Sequence, residues 1–492
     1  MMKIEIHMPK EKAFLYQQLA DNLQQHILQK NLSPGSKLPS VRVLSQQYQV
    51  SPATVFSAYY HLEALGLIEA RPKSGYYVKR KRDTAKMRAY QQLMAAEKIV
   101  KQPVKPTTSG ILEAIETSRT QANCVDLSQA VPPQHLLPTQ KFKKTLTEVS
   151  KNYAEQLLSY PPSVGVDRLR QQIALHTFQW GFGGSQEEVL VTAGCLEALV
   201  LCLQAVAQKG EVIVTETLTY FGIQQVIEHL GYQVISIASD PVTGLDLNYL
   251  EQVFRDFSVK ACLFVSNFHN PTGHSIPDDQ KKQLAEMAQH WQVPLIENDV
   301  YGELYFGKKR PTTIKRYDQA GWVMYCSSFS KTLAPGYRVG YCLPGRFQAQ
   351  VFRQKRIHSI TTSSISQFVL SDFLRKERYD YHLKKLRDYL HFNLVKYETC
   401  LLENFPDETF FSSPEGGYVL WIGFDQDVDT YALYRQAKVN NIIIIPGQVF
   451  SFNDTYKNFI RLSFARPFDE QVAQAIQCLG TLAKNLQVKK TD

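Results

Sequence analysis

The spacing of apolar residues changes character near residue 115. Before that point apolar side chains recur at helical spacing on a polar background. The first such run is Leu15, Leu19, Leu23 and Ile27. Ser40 and Ser51 each precede a further apolar run, so they predict the starts of a second and a third helix. Two strand-like pieces, residues 67–71 and 75–79, then flank a turn, which completes a pattern of three helices and a hairpin.

After residue 115, short apolar runs alternate with helical patterns. The apolar runs cover residues 189–191, 211–214, 234–237, 261–265 and 293–296. Such runs are typical of strands covered on both faces, so they predict an α/β fold with a doubly wound, mostly parallel sheet. From about residue 363, helices come first and strands follow at 418–422, 442–445 and 459–464. That order predicts a smaller C-terminal α+β lobe.

Three helices followed by a two-stranded wing are the pattern of a winged helix-turn-helix. The sequence Leu-Pro-Ser-x-Arg (38–42), then Val-Ser-x-x-Thr-Val (50–55), then Leu-Glu-x-x-Gly-Leu-Ile (62–68) resembles the GntR family of bacterial regulators. By that resemblance residues 1–80 form a mainly α-helical DNA-binding domain. The residues that it implies on the DNA face are Ser40, Arg42, Ser51, Thr54, Lys73 and Gly75, with Gly75 at the wing tip. An alternative is a small helical domain that makes only protein contacts.

Two features bear on that resemblance. Pro52 stands where the family often has arginine, so the docking mode is better supported than any base preference. Residues 1–110 carry 17 Lys and Arg against 7 Asp and Glu, although the whole chain has a net charge of only +9. A local basic excess of this kind indicates phosphate contact. Part of it falls in residues 81–115, a basic segment with proline, serine and threonine that we expect to be a linker.

The cysteines and the hydropathy of the chain bear on its location. The eight cysteines include no Cys-x-x-Cys pair, and no histidine cluster has metal-ligand spacing. Reduced cysteines in a cytoplasmic protein, without a metal site, are therefore expected. The sequence shows no apolar signal region and no run of about 18 apolar residues, so export and a membrane partner are not expected.

Lys331 lies after small hydroxyl residues and seven positions before Arg338. An amine, hydroxyls and a guanidinium in one segment are what an aldehyde phosphate cofactor requires. The amine forms a Schiff base with the carbonyl, and the other groups hold the phosphate. An isolated Ser-x-Lys would more often be a surface turn, so the interpretation depends on partners elsewhere in the chain.

Those partners occur upstream in a fitting order. Asp299 follows the apolar run 293–296, where a carboxylate projects into the crevice of an open sheet and can pair with a pyridinium nitrogen. Asn270, in His-Asn-Pro-Thr-Gly, and Tyr301 can both bond the phenolic oxygen of the same ring. Asn-Pro-x-Gly alone is more often an ordinary turn, and it is the ordered set that indicates a cofactor site.

Residues 120–485 resemble the fold-type I aminotransferases, which use pyridoxal 5′-phosphate (PLP). By that resemblance Lys331 forms the internal aldimine, Asp299 pairs with the pyridinium, and Asn270 and Tyr301 bind the 3-hydroxyl. The groups implied for the phosphate are Ser328, Ser330, Arg338, the amides of Gly194, Cys195 and Leu196, and Tyr160 from the neighbouring subunit. Tyr220 would stack on the ring, and Arg461 would grip the α-carboxylate of an amino acid. Cys195 departs from the Ser or Thr usual in the family. Tyr160 implies a homodimer with shared cofactor sites.

The two resemblances together describe the MocR-type subfamily of GntR regulators. Residues 116–492 would then be an effector domain that senses PLP, or an amino compound by aldimine exchange at Lys331. The winged helix would bind or release operator DNA in response, and at most slow half-transamination is expected. The alternative is an active PLP-dependent aminotransferase that acts on an amino acid and carries an incidental N-terminal domain.

Overall fold

A computed structural model describes residues 15–28, 37–64, 67–71, 75–78, 102–106, 110–119, 124–241, 243–376, 378–425, 428–453 and 455–488. The chain divides into two compact units, Met1–Met87 and Arg88–Asp492, which are called the head and the body below. Lys73 and most of the expected linker 81–115 lie outside the described residues.

The described part of the head contains the helices and the hairpin that the sequence predicts. The elements are α1 (Leu15–Leu28), α2 (Val41–Tyr48), α3 (Pro52–Ala64), β1 (Ile68–Arg71) and β2 (Gly75–Val78), with β1 and β2 antiparallel. Leu19, Leu23 and Ile27 of α1 pack into one core with Val55 and Leu62 of α3. Leu15, the first residue of the predicted apolar run, is instead 57% exposed.

The body is built on one large sheet. In its described residues the strands are β3 (Val125–Asp126), β4 (Leu190–Thr192), β5 (Val212–Glu216), β6 (Gln233–Ile237), β7 (Ser239–Asp240), β8 (Gly244–Leu245), β9 (Val259–Val265), β10 (Leu295–Asn298), β11 (Val323–Ser328), β12 (Gly340–Leu343), β13 (Phe410–Phe411), β14 (Val419–Gly423), β15 (Ile442–Ile443), β16 (Ile445–Pro446) and β17 (Phe459–Ser463). The sheet has the order β4-β12-β11-β10-β9-β5-β6, in which β12 pairs antiparallel with both neighbours and the other pairings are parallel.

Helices cover both faces of this sheet, as the continuous apolar runs predict. The described helices are α4 (Ile111–Arg119), α5 (Thr139–Asn152), α6 (Ala154–Leu158), α7 (Asp167–Gln179), α8 (Cys195–Val206), α9 (Phe221–Leu230), α10 (Leu247–Asp256), α11 (Asp278–Trp291), α12 (Gln348–His358), α13 (Ser364–Arg375), α14 (Arg378–Asn404), α15 (Thr430–Val439) and α16 (Glu470–Val488). Successive residues of one strand point to opposite cores: Ile213 packs with α8 and α9, whereas Val214 packs with α10 and α11. The doubly wound α/β prediction is confirmed.

A smaller antiparallel sheet of the described residues follows, with the order β13-β14-β17-β16. The sequence predicts the small lobe from about residue 363. Helix α13 (364–375) nevertheless buries Phe368 and Phe373 in the core that contains Phe142 of α5 and Leu169 of α7. The packing of α13 is therefore that of the large sheet, and the strands of the small sheet begin at β13.

Candidate functional site

The C-terminal ends of the central strands bring the predicted site residues to one edge of the large sheet. Strands β9, β10 and β11 are parallel neighbours. The chain leaves them toward Asn270, Asp299 and Lys331 respectively. Because equivalent ends of parallel strands lie side by side, residues that are far apart in sequence meet in one crevice.

An anion-binding cradle forms where α8 begins beside β12. Gly194 has a φ of +95°, and a Cβ on it would lie 2.5 Å from Nη2 of Arg338. Arg338 Nη1 donates to Ser330 Oγ at 3.1 Å, and Nη2 donates to the carbonyl of Ala193 at 3.4 Å. Helix α8 begins at Cys195, and among the described residues no side chain caps its N-terminus. Backbone amides, a hydroxyl and a guanidinium thus surround the space that a Cβ would fill, which is the chemistry of a phosphate site.

The amine of Lys331 is held close to an aromatic ring. Its Nζ donates to the carbonyl of Ala130 at 2.7 Å and lies 6.0 Å from the ring centroid of Tyr301. The hydroxyl of Tyr418 donates to the carbonyl of Lys331 at 2.5 Å. The backbone of this lysine is therefore fixed by a residue of the smaller lobe.

Tyr301, Asn270 and Arg461 form one buried chain of hydrogen bonds. Asn270 Nδ2 donates to the Tyr301 hydroxyl at 3.2 Å, and Arg461 Nη1 donates to Asn270 Oδ1 at 3.1 Å. Arg461, which is 2% exposed, also donates to the carbonyl of Ser128. Burial, and to a lesser extent nearby Tyr220, raises the pKa of Tyr301 to about 12, so its phenol keeps a proton to donate at neutral pH.

Three side chains bind the carboxylate of Asp299. Its Oδ1 accepts from Asn267 Nδ2 at 2.9 Å, and its Oδ2 accepts from the Tyr325 hydroxyl at 2.9 Å. Arg310 Nη2 donates to the same Oδ2 in a short, buried ion pair. The guanidinium of Arg310 lies 4.2 Å from the ring centroid of Trp180. The carboxylate is thereby paired with a cation and oriented at the edge of the sheet.

Comparison with known proteins assigns both units. Residues 15–78 match the bacterial regulatory proteins of the gntR family, and residues 122–479 match aminotransferase class I and II. The chain belongs to the MocR-type GntR regulators. The GntR domain of such a regulator binds operator DNA.

Relatives of this MocR-type regulator match it over more than nine-tenths of its length. YdcR of Escherichia coli (strain K12), an HTH-type transcriptional regulator, is 35% identical over 477 residues, which are 95% of this chain and 98% of YdcR. NorG of Staphylococcus aureus (strain USA300), another HTH-type transcriptional regulator, is 29% identical and covers 92% of this chain and 100% of its own. The structure of Pyrococcus horikoshii kynurenine aminotransferase in complex with PMP has a TM-score of 0.73 and 25% identity, over 77% of this chain and 95% of that one.

The cofactor of the MocR-type regulator is pyridoxal phosphate. The residues present fit it. The cradle at Gly194 suits a phosphate, and a buried carboxylate suits a ring nitrogen that carries a proton.

Among the described residues, no helix combines the length and the apolar character that crossing a bilayer requires.

The remaining predicted residues of the body take different positions. Tyr220 directly precedes α9. The thiol of Cys195 donates to Asn298 Oδ1 at 3.5 Å, and burial raises the pKa of Cys195, so it stays a thiol. Leu196 is 42% exposed in the first turn of α8. Ser328, at the end of β11, accepts from the amide of Ser330 at 3.4 Å, which adds it to the cradle. Tyr160 is 85% exposed and makes no contact with this cluster in the described chain.

In the head, two of the predicted DNA-facing hydroxyls have local partners. Ser40 Oγ accepts from the amide of Val43 at 3.3 Å, and Ser51 Oγ accepts from the amide of Thr54 at 3.1 Å. Both serines are therefore N-caps of their helices. Arg42 and Gly75 are exposed, and Gly75 has a φ of +108° that favours glycine.

Sequence reasoning missed the partners of Asp299. Arg310 ends the run Lys308-Lys309-Arg310, which reads as a solvated basic turn. Lys308 and Lys309 are indeed exposed, whereas the side chain of Arg310 is only 10% exposed. No periodicity or motif separates the third residue of this run from the first two.

Proposed function

We propose that the body senses a primary amino compound, or pyridoxal phosphate itself, and that the head binds or releases operator DNA in response. The observation that carries this proposal is the convergence of an amine, a phosphate cradle and a buried guanidinium in a chain that has a DNA-binding head. The cradle is at Gly194, the amine is that of Lys331, and the guanidinium is that of Arg461.

Each side chain has a role in this proposal. PLP, when bound, supplies an aldehyde that primary amines attack. Lys331 Nζ provides the protein's own amine, and Asp299 holds the proton of the ring nitrogen. Asn270 and Tyr301, which bond each other at 3.2 Å, orient the ring through its hydroxyl. The phosphate is held by the amides of Gly194, Cys195 and Leu196 and by Ser328, Ser330 and Arg338, and Tyr220 covers the ring.

In this proposal the Lys331 amine and the amine of the effector compete for the cofactor, and this competition couples the two lobes of the body. Lys331 follows β11 of the large sheet, whereas Arg461 lies on β17 of the small sheet. With the cofactor bound, an amino compound that took the place of the Lys331 amine would free that lysine, and its carboxylate, if present, would pair with Arg461. The lobes, which Arg461 and Asn270 already join by a hydrogen bond at 3.1 Å, would then be joined through the ligand instead, and we propose that this exchange alters the surface of the body.

A second subunit completes the site in this proposal. Tyr160 is 85% exposed and Leu158, two residues before it, is 92% exposed. Large apolar and aromatic side chains exposed together are characteristic of a protein interface. We propose a cytoplasmic homodimer in which Tyr160 of each subunit contacts the phosphate of the cofactor bound by the other subunit. Residues 1–80 form the DNA-binding domain, 81–115 the linker and 116–492 the effector domain.

The test is a titration of the holo-protein with a panel of amines and amino acids, with and without the operator duplex. An effector that changes DNA affinity must have its own affinity changed by DNA by the same factor, typically about 5- to 150-fold. Arg461→Gln should abolish the response to amino acids and spare the response to amines without a carboxylate. Equal affinities with and without DNA, together with multiple turnovers on a keto acid, would instead establish a plain aminotransferase.

A further inference from the structure

The recognition helix α3 presents an unusual surface. Its buried face consists of Val55, Ala58, Tyr59 and Leu62, which are 0% exposed and pack into the core of the head. At 100° per residue the opposite face carries Ala53, Ser57 and Tyr60, with Phe56 beside them. Phe56 is 41% and Tyr60 is 60% exposed. The face that enters the major groove in a winged helix is therefore largely apolar.

Polar readout from this helix is limited by its sequence and by its caps. Residues 51–62 contain no Asp, Glu, Lys, Arg, Asn or Gln. Bidentate recognition of guanine by Arg or Lys, and of adenine by Asn or Gln, is thus excluded for these positions. The hydroxyls of Ser51 and Thr54 lie 2.8 Å apart and bond each other, and Ser51 also caps the helix.

The major groove offers one apolar group to such a surface, the C5 methyl of thymine. We propose that α3 reads thymine methyl groups in the operator, with Phe56 and Ala53 as the contacts. The basic excess of residues 1–110 and exposed Arg42 supply the phosphate contacts that position the helix. This inference rests on DNA binding by the head and is independent of what the body senses.

The aromatic pair on α3 is suited to this role. The rings of Phe56 and Tyr60 are stacked, with centroids 6.2 Å apart and an interplanar angle of 24°. Tyr60, one turn further along the helix, lies against one face of the Phe56 ring, which is still 41% exposed. A ring held in this way loses little conformational freedom when a methyl group packs on it.

The experiment selects duplexes from a randomised pool with the full-length holo-protein and then removes the methyl groups. The selected consensus is resynthesised with deoxyuridine in place of thymidine, which preserves every base-pairing group and deletes only the C5 methyl. Burial of one methyl-sized group is worth a factor of about 4 in affinity. We expect a thymine-rich consensus and an affinity loss of about fourfold for each methyl that is contacted.

Variants test whether the loss of affinity for the uracil duplex arises from helix α3. Phe56→Ala should lose the part of the affinity difference between the thymine and uracil duplexes that Phe56 supplies and keep only the part from Ala53, and Phe56→Leu should lose less. Val43→Ala is the matched control, because Val43 is a 50% exposed apolar residue of α2, and it should keep the full difference. Binding of the wild type that is equal on the two duplexes, or a difference that is undiminished in Phe56→Ala, would overturn the proposal. So would a Phe56→Ala variant that loses only self-association, since the face would then cover another protein. A wild type that selects no DNA would contradict operator binding itself as well.

Discussion

The body and the head use polar side chains in opposite ways. In the body, Asp299 is 2% exposed, and its partners Asn267, Arg310 and Tyr325 come from separate segments of the chain. In the head, Ser40 and Ser51 bond amides three residues away and remain exposed. Long-range, buried contacts make a site whose loss is costly, whereas local, exposed contacts shape a surface. Substitutions in the body should therefore have larger effects than those in the head.

The largest effect is expected for Lys331→Ala. The variant lacks the amine that we propose to hold the cofactor covalently, so borohydride treatment should no longer fix any cofactor to the protein, and the visible absorption band should be lost. Mass spectrometry of the reduced protein checks both points. Lys282→Ala, which changes a 63% exposed lysine of α11, is the control and should behave like the wild type. Undiminished labelling of Lys331→Ala would remove this lysine from the role.

Arg310→Gln should cause the next largest effect. It removes one partner of the buried ion pair with Asp299, whose side chain is 0% exposed, and so leaves a buried charge with only neutral donors. Breaking such a pair lowers the free energy of unfolding by about 3–5 kcal/mol. Chemical unfolding measures the change, and cofactor affinity should fall in parallel because Asp299 is no longer oriented. Lys309→Gln changes the exposed neighbour and should alter neither quantity; an Arg310→Gln variant as stable as the wild type would contradict this role of the ion pair.

A smaller effect should appear as pH dependence at Glu216 in the body. Burial raises its pKa to about 8 from an ordinary value of 4.5. The folded protein therefore keeps a proton that the unfolded chain has lost, and stability is lost as pH rises from about 4.5 through about 8. Two buried histidines act in the opposite direction. Burial lowers the pKa of His269, whose Nε2 lies 3.6 Å from Glu216 Oε2, and it lowers the pKa of His274 to about 4. Their effect is complete only above about pH 7.5, about one unit above the ordinary histidine pKa of about 6.5.

Burial also raises the pKa of Glu297 to about 7, so this carboxyl acts in the same direction as Glu216, and a variant rather than a pH window isolates Glu216. Between pH 6.5 and 8 the free energy of unfolding should fall by about 1–2 kcal/mol more in the wild type than in Glu216→Gln. Glu216→Gln, which cannot ionise, should show a flatter profile. Glu286→Gln, at a 63% exposed position, should keep the slope of the wild type. Equal slopes in Glu216→Gln and the wild type would mean that this carboxyl titrates normally.

The same contrast separates what the sequence predicts from what it does not. Apolar runs predict the large sheet because strands covered on both faces need continuous apolar residues. Asn270, Asp299 and Lys331 can be found because each follows such a run, and strand ends converge whatever the details of packing. Arg310 could not be found, since its partner is set by the path of a loop. Ala130 and Ser128, which contribute only carbonyl oxygens, have no sequence signal at all.

The smallest effect is expected in the head, for Ser51. Ser51→Ala removes the hydroxyl that accepts from the amide of Thr54 at 3.1 Å. Loss of an N-cap costs about 1 kcal/mol, and amide hydrogen exchange along α3 in the full-length protein should report it. Ser51→Asn keeps a capping acceptor and should restore protection, whereas Ser57→Ala, on the exposed face, should leave protection unchanged. DNA binding separates the two roles of this residue. If Ser51 acts only as a cap, Ser51→Asn binds the selected duplex as the wild type does. If its hydroxyl also touches DNA, as the family resemblance implies, Ser51→Asn regains the helix and still loses affinity.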